Sequence, residues 1–129
     1  MKPSTLEWVD KAEADFATTL RELRARRQPN YDAACFHAQQ CIEKYLKARL
    51  IEAGIPFPRS HDLEELLDLS LPIEPLWEVF RNQLIDLTTF AVVFRYPGES
   101  AVNDMAKIAV ADCKLIFKAI RNRLGMAEA

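Results

Sequence analysis

Glycine is scarce in this chain, and its scarcity restricts the fold more than any other feature. The 129 residues contain only three glycines, at positions 54, 98 and 125. Each stands where a helical pattern of apolar residues ends, and the long glycine-free intervals keep that helical periodicity. The sequence therefore predicts helices rather than strands, and an all-α fold.

Five helical segments are predicted along the chain. In order they cover residues 5–27, 31–53, 61–69 and 73–94, with a last segment from residue 100 to about residue 124. Serines at positions 4, 60 and 100 are the predicted N-caps of the first, third and fifth segments. Short connections between long helices favour antiparallel neighbours. We therefore expect residues 1–129 to form one domain, an antiparallel up-and-down four-helix bundle with an additional short helix.

Charge and cysteine content exclude several classes of protein. The 17 basic and 19 acidic residues give a net charge of −2, which excludes a globally basic nucleic-acid binder. No apolar run approaches the roughly 20 residues of a membrane span. The cysteines at positions 35, 41 and 113 lie among apolar neighbours without a CxxC pair, as expected for buried, reduced thiols. We therefore expect a cytoplasmic protein that needs no membrane, metal or cofactor.

The second predicted helix has the most informative pattern. Its apolar arc consists of Ala34, Ala38, Cys41, Ile42, Tyr45, Leu46 and Ala48. The opposite side carries Gln39, Gln40, Glu43 and Lys47, with His37 and Lys44 on one shoulder. A solvated face with an i,i+4 pair, such as Glu43–Lys47, is the simplest interpretation of this polar side.

The up-and-down arrangement decides which polar residues share an end of the bundle. His37, near the start of the second helix, belongs to the same end as the last turn of the first helix and the turn Arg95-Tyr96-Pro97. His61, before the third helix, belongs to the opposite end. The geometry therefore allows His37 and Arg95 to cooperate and keeps His61 away from both.

Residues 31–48 resemble the second helix of HEPN proteins. Their sequence, YDAACFHAQQCIEKYLKA, follows the family's pattern of an apolar residue and then x-A-Q-Q-x-x-E-K-x-L-K-A. Two further markers follow in the family's order, Pro58-x-x-His61-Asp62-Leu63 and Arg95-Tyr96-Pro97. The resemblance rests on the combination of the three markers and on the helix count.

Resemblance to HEPN proteins implies a helical bundle that dimerises through long helices. It also implies frequent pairing with a small nucleotidyltransferase and, in many branches, ribonuclease activity. That activity depends on an Arg and a His that are separated by four to six intervening residues and juxtaposed across the dimer. The histidine moves protons, and the arginine stabilises the charge that develops on the phosphorane.

Neither histidine of this chain follows an arginine at the spacing of the ribonuclease motif. The nearest preceding arginine lies ten positions before His37 and two positions before His61. The closest approach to the motif is Arg81, which has Asp86 where the shortest spacing requires histidine. An aspartate is a poor acid at neutral pH and repels phosphate. The alternative is nevertheless a ribonuclease toxin from a toxin–antitoxin pair, with Arg81 and Asp86 as its catalytic residues, joined by His37 and Arg95.

The sequence favours a non-catalytic homodimer that binds nucleotide or RNA phosphates, or a minimal nucleotidyltransferase. The predicted phosphate-binding residues are His37, Gln40, Lys44, Lys47, Arg95 and Tyr96. Arg95 is central because a guanidinium at a helix end can hold phosphate bidentately; its alternative is a salt bridge to Glu43 or to an acidic partner. A pure protein-interaction module, in which the acidic residues 61–99 contact a basic partner, is the remaining interpretation.

Overall fold

All regular structure in the described part of the chain, residues 1–126, is helical. The computed structural model contains α1 (Pro3–Arg24), α2 (Tyr31–Glu52), α3 (Leu63–Ser70), a 3₁₀ helix (Pro75–Phe80), α4 (Arg81–Val93) and α5 (Asn103–Arg123). The predicted all-α class is therefore confirmed.

The central element is α2, which packs against α1, α3, α4 and α5. Twelve of its 22 residues are buried, and they include polar as well as apolar side chains. A helix that is covered on several sides has no single apolar stripe, since each side meets a different neighbour. The core therefore forms around α2, and the polar groups that α2 carries inward need partners.

Named contacts fix the direction of the helices that flank α2. Thr5, at the start of α1, donates from Oγ1 to Oε1 of Glu52 at the end of α2 (2.8 Å), so α1 is antiparallel to α2. On the other side, Ala33 lines a groove together with Phe94, whereas Gln40, further along α2, lines a pocket together with α4. The helix α4 is therefore also antiparallel to α2.

The last helix runs in the same direction as α2. Asn103, the first residue of α5, donates from Nδ2 to the hydroxyl oxygen of Tyr31 (3.1 Å). Arg121, near the end of α5, donates from a guanidinium nitrogen to the hydroxyl oxygen of Tyr45 (3.2 Å). Between these contacts the apolar residues of α5 pack into the core, so α5 covers the side of α2 that the predicted apolar arc occupies.

The three predicted serine N-caps are wrong. The first helix begins at Pro3 and has Lys2 at its N-cap position, because proline is well accommodated in the first turn. The third helix is capped by Asp62, whose carboxylate accepts from the backbone N–H of Glu64 (3.0 Å). The last helix begins only after Val102, without a side-chain cap. Of the three serines, Ser60 still supports its helix, because its Oγ accepts from the N–H of Asp62 (3.1 Å).

The segment predicted as one helix over residues 73–94 is divided. Residues Pro75–Phe80 form a 3₁₀ helix, and α4 begins at Arg81. Pro75 has no N–H and presets its own φ, which suits the tight turn at this start. Helical periodicity predicts a buried face of Trp77, Phe80, Leu84, Leu87 and Ala91, and all of these are buried except Phe80, which is partly buried against the core.

Candidate functional site

A buried polar network crosses the middle of α2. Gln39, Glu43 and Lys47 are only 2%, 3% and 6% exposed. The interpretation of these residues as a solvated face is therefore wrong. It fails because α3 and the connection that precedes it cover this side of the helix.

Glu43 is the centre of that network. Its Oε2 accepts from Nζ of Lys47 (3.1 Å), and its Oε1 lies 2.9 Å from Nδ1 of His61. Gln39 donates from Nε2 to the backbone oxygen of His61 (2.9 Å), which joins the same loop to the helix. The rings of Trp8 and Phe57 lie 5.4 and 5.8 Å from Nζ of Lys47 and add cation–π contacts. Every charge in this buried cluster is thus matched by a partner.

The structure places His61 at mid-height of α2, not at the remote end of the bundle, so that prediction is wrong. The reason is the path of residues 53–62, which lie outside any helix. Glu52 lies nine helical steps after Glu43, a distance of about 14 Å at 1.5 Å per residue. Ten residues can span at most roughly 33 Å, which is enough to return over that distance. The connection thereby carries His61 back along α2.

His61 lines a small cavity between α2 and α4, here named the polar pocket. Its volume is about 60 Å³, and it is lined by Phe36, Gln39, Gln40, His61, Thr88, Ala91, Val92 and Arg95. Five of these eight side chains are polar. The pocket therefore brings an arginine, a histidine, two amides and a hydroxyl from different parts of the chain to one place.

A larger depression adjoins the polar pocket and is here named the aromatic groove. Its volume is about 350 Å³, and it is lined by Asn30, Asp32, Ala33, Phe36, Ala91, Phe94 and Arg95. The two cavities share Phe36, Ala91 and Arg95. Together they form a single depression along the contact of α2 with α4, divided by Arg95 and Phe36.

Arg95 lies between the two cavities, and its positive charge is not used in an ion pair within the described residues. Its Cζ lies 5.2 Å from the ring centroid of Phe36, and within residues 1–126 no carboxylate lies at ion-pair distance from it. The alternative salt bridge to Glu43 is not formed, because Lys47 and His61 occupy that carboxylate. Tyr96 follows in the same turn and is exposed.

The other predicted phosphate-binding residues are divided between two places. Gln40 lines the polar pocket beside Arg95. His37 and Lys44 instead contact Asp15 of α1: Nδ1 of His37 lies 2.8 Å from Oδ1, and Nζ of Lys44 binds the other oxygen. Lys47 is buried against Glu43, as described above. Of the six predicted residues, the structure therefore brings only Gln40 and Arg95 together in one pocket, with Tyr96 next to them in sequence.

The alternative catalytic residues lie elsewhere and are differently engaged. Arg81 binds three carboxylates, those of Glu64 (2.8 Å), Asp68 (2.6 Å) and Glu78 (2.7 Å). Hydrogen bonds to Glu78, Asp68 and Glu64 raise the pKa of Arg81 further above its ordinary value. Asp86 lies exposed on α4 and is not among these partners. The guanidinium of Arg81 is therefore committed to neighbouring acids, unlike that of Arg95.

Comparison with models of known protein families identifies the family of this chain. The family model described as the HEPN domain matches residues 5–123. The chain belongs to the HEPN family. The match covers every helix of the structure, so the resemblance seen in the second helix extends over the whole HEPN domain. No curated protein and no solved structure matches this chain.

Three residues of the HEPN domain's pocket were missed in the sequence. The sequence pattern gives Phe36 only as an apolar marker, predicts His61 at the wrong end and contains no signal for Thr88. The available signal was the Pro58-x-x-His61-Asp62-Leu63 marker, which connects the third helix to α2. No helix among the described residues of this HEPN domain is long and apolar enough to cross a membrane.

Proposed function

We propose that this HEPN protein binds the phosphate groups of a nucleotide or RNA in the depression between α2 and α4. The proposal rests on the surroundings of the Arg95 guanidinium. Its guanidinium lies over Phe36, borders both cavities and has no carboxylate partner within the described chain. An exposed guanidinium beside an aromatic ring offers phosphate a bidentate contact and a base a surface for stacking.

The predicted residues have graded roles in this proposal. Arg95 is the principal phosphate ligand, and Gln40 adds a neutral donor from α2. Lys44 and His37 contribute less, since Asp15 already offsets their charge. Lys47 acts indirectly, because it neutralises the carboxylate of Glu43 behind the pocket. Tyr96 is exposed beside Arg95 and can contact a longer ligand.

The proposed binding does not include RNA cleavage by the family's ribonuclease motif. No arginine of this sequence is followed by a histidine with four to six residues between them, and Arg81 is held by three acids. A phosphorane needs both a proton donor and a free positive charge. The pair Arg81 and Asp86 supplies neither, which disfavours the ribonuclease-toxin alternative.

We also infer that the protein is a homodimer, as HEPN domains often are. Support comes from exposed apolar side chains on α5, namely Met105, Ile108 and Leu115. Their spacing of three and seven residues places them on one stripe of the helix. A monomer would leave this stripe in water, whereas a second copy would bury it.

Pairing with a minimal nucleotidyltransferase and a cytoplasmic location complete the proposal. The pairing is what resemblance to HEPN proteins implies, and the acidic residues 61–99 offer a surface to a basic partner. The location is supported by three free, buried cysteines, as expected in a reducing compartment. Copurification of the chain with the product of a neighbouring nucleotidyltransferase gene would test the pairing.

Calorimetric titration of the purified protein with a short RNA and with a nucleotide tests the binding. Affinity should fall as salt rises, because phosphate contacts release counterions. Arg95→Ala should weaken binding about ten-fold or more, the value of one charge-assisted contact. Lys44→Ala should weaken it less, and Arg81→Ala is the matched arginine control that should change it little.

A cleavage assay completes the test. The same RNA is incubated with wild type, Arg81→Ala and Asp86→Ala, and no variant should change the amount of intact RNA. Robust cleavage by the wild type that either substitution abolishes would establish the toxin alternative. Absence of both binding and cleavage would leave the interaction module as the function of this chain.

A further inference from the structure

The two cavities beside Arg95 differ in size and in chemistry. The polar pocket has a volume of about 60 Å³ and contains most of the hydrogen-bonding side chains, whereas the aromatic groove has a volume of about 350 Å³ and contains both phenylalanines. A water molecule needs roughly 10–15 Å³ of such volume, so the polar pocket holds about four to six groups of that size. A phosphate group, with four oxygens, is of this size, and a nucleobase is larger.

The polar pocket offers donors for a phosphate on several sides. Gln40 uses one Nε2 hydrogen to bond Oε1 of Gln39 (2.8 Å), which leaves its second hydrogen available. Thr88 accepts from the N–H of Leu63 at Oγ1 (3.3 Å), which leaves its hydroxyl hydrogen to donate. The guanidinium of Arg95 adds a charged fork from the rim of the pocket.

His61 also lines this pocket, and its Nε2 donates to a phosphate oxygen when the imidazole is protonated. Its Nδ1 is fixed by Glu43, and its Nε2 has no protein partner within residues 1–126. The negative charge of Glu43 is offset by Lys47 at 3.1 Å, so it does not repel an anion in the pocket with its full strength. Arg95 is then the dominant uncompensated charge at the pocket.

The aromatic groove has the chemistry of a nucleoside site. Phe36 and Phe94 offer ring surfaces, and Phe94 is itself stacked on Phe90 with 5.6 Å between centroids. Asp32 uses Oδ1 to accept from the N–H of Ala101 (2.6 Å), which leaves its other oxygen for a sugar hydroxyl. The aromatic groove therefore suits a base and a ribose better than a phosphate, because the carboxylate of Asp32 would repel a phosphate.

We propose that the polar pocket takes the terminal phosphate of a nucleoside 5′-monophosphate whose nucleoside lies in the aromatic groove. This inference rests on the proposed function and specifies its ligand. A terminal phosphate has three oxygens that are not esterified, and it ends the molecule, as a small cavity requires. An internal phosphodiester has only two such oxygens, and its chain would have to leave the small pocket again.

Calorimetry on the full chain tests the orientation with three probes, which are adenosine 5′-monophosphate, adenosine and the dinucleotide adenylyl-adenosine. The monophosphate should bind at least about ten-fold more tightly than either of the others, because each lost contact to a charged phosphate costs about that factor. Repeating the series with guanosine, cytidine and uridine compounds covers ligands with other bases.

Single substitutions then distinguish the contributions of the two cavities to binding. Arg95→Ala should weaken all phosphate-containing probes, because Arg95 borders both cavities. Gln40→Ala should weaken the monophosphate about ten-fold and leave the dinucleotide unchanged, because only the monophosphate enters the polar pocket. Lys118→Ala removes one exposed positive charge from α5, outside both cavities, and should alter neither probe.

The outcomes distinguish this inference from the proposed function. If the dinucleotide and the monophosphate bind equally tightly through Arg95 and Gln40→Ala affects neither, phosphate binding stands and the terminal-phosphate orientation is overturned. If adenosine binds as tightly as its monophosphate, the polar pocket is not a phosphate site. If no probe and no RNA binds, both the orientation and the proposed function fail.

Discussion

Nδ1 of His61 lies 2.9 Å from Oε1 of Glu43, and this contact joins the loop before α3 to the centre of α2. The two side chains differ greatly in exposure, at 81% for the histidine and 4% for the glutamate. The histidine therefore approaches a buried carboxylate from the solvent side. Glu43, Lys47 and His61 form one cluster. This cluster neutralises the buried carboxylate of Glu43, and it also holds His61 in the wall of the polar pocket.

Removing the carboxylate of Glu43 should strongly destabilise the protein. In Glu43→Ala the buried ammonium of Lys47 would lose its ion-pair partner, and breaking such a pair costs about 3–5 kcal/mol. Urea unfolding followed by circular dichroism measures the change in the free energy of unfolding.

The double variant Glu43→Gln with Lys47→Met provides the control. It removes both charges and keeps the approximate side-chain volumes, so it should be clearly more stable than Glu43→Ala. Equal loss of stability in the two proteins would show that packing at these positions, rather than an unpaired charge, determines the effect.

The three cysteines should react slowly with a thiol reagent in the native protein. All three are buried, as predicted from their apolar neighbours. Burial, reinforced by the charge of Asp32, raises the pKa of Cys35 from 9.0 to about 11. Two pKa units lower the thiolate fraction near neutral pH by about 100-fold. The absorbance of a released aromatic thiol gives the rate at pH 8, and the same protein in urea supplies the unprotected reference.

Fast, stoichiometric labelling of Cys35 and Cys41 under native conditions would contradict the structure. Both residues lie on α2, so the result would require this helix to be rotated about its axis. Slow labelling whose rate continues to rise up to about pH 11 would agree with the raised pKa of Cys35.

The sequence predicted α2 and its apolar arc because periodicity reports the side of a helix that meets a core. It did not predict the burial of Gln39, Glu43 and Lys47. An i,i+4 pair of glutamate and lysine has the same spacing on a solvated face as in a buried network. Only the tertiary path of residues 53–62, which has no periodic pattern, decides between the two.

The sequence predicted the candidate site only in part, as it did the environment of α2. Arg95 and Gln40 were identified because they belong to recognisable markers, and the antiparallel direction of α2 and α4 brings them together. The sequence predicts His61 at the wrong end, since an up-and-down pattern of helices does not show that the chain turns back after α2. Thr88 had no local signal at all, because its importance comes from the contact of α4 with the loop before α3.

Asp112 of α5 should contribute less to the stability of the folded protein at neutral pH than below pH 3.8. Burial raises its pKa from 3.8, the bond from Gln83 opposes that rise, and the charge of Asp86 adds to it. The folded state therefore holds this proton more tightly than the unfolded state does. The stabilisation is present below pH 3.8 and is lost as the pH rises through the raised, folded-state value.

Asp112→Asn should therefore gain stability relative to wild type as the pH rises above 3.8. Asp112 is partly exposed, and solvent screening limits the gain to less than about 1 kcal/mol. Thermal unfolding between pH 3 and pH 7 gives the difference, and Asp86→Asn should reproduce part of it by removing one cause of the shift. A difference that is constant with pH would show that the charge of Asp112 is not responsible.

Ile108→Asp should convert the proposed dimer to a monomer. Ile108 is 56% exposed on α5, between Met105 and Leu115 on the stripe that we propose a second copy covers. A charge buried without a partner in an apolar interface costs several kcal/mol, which is enough to dissociate a dimer of ordinary affinity. Light scattering coupled to size exclusion, at micromolar concentration and above, measures the mass of each species against the 14.8 kDa of one chain.

Leu76→Asp is the matched control for this substitution. Leu76 is 82% exposed on the 3₁₀ helix, so it undergoes the same chemical change at a site of even greater exposure outside the stripe. The Leu76 variant should remain dimeric, because general surface charge does not dissociate a specific interface. A wild type that is monomeric at every concentration would refute the dimer. Dissociation of both variants would exclude the α5 stripe as its specific interface.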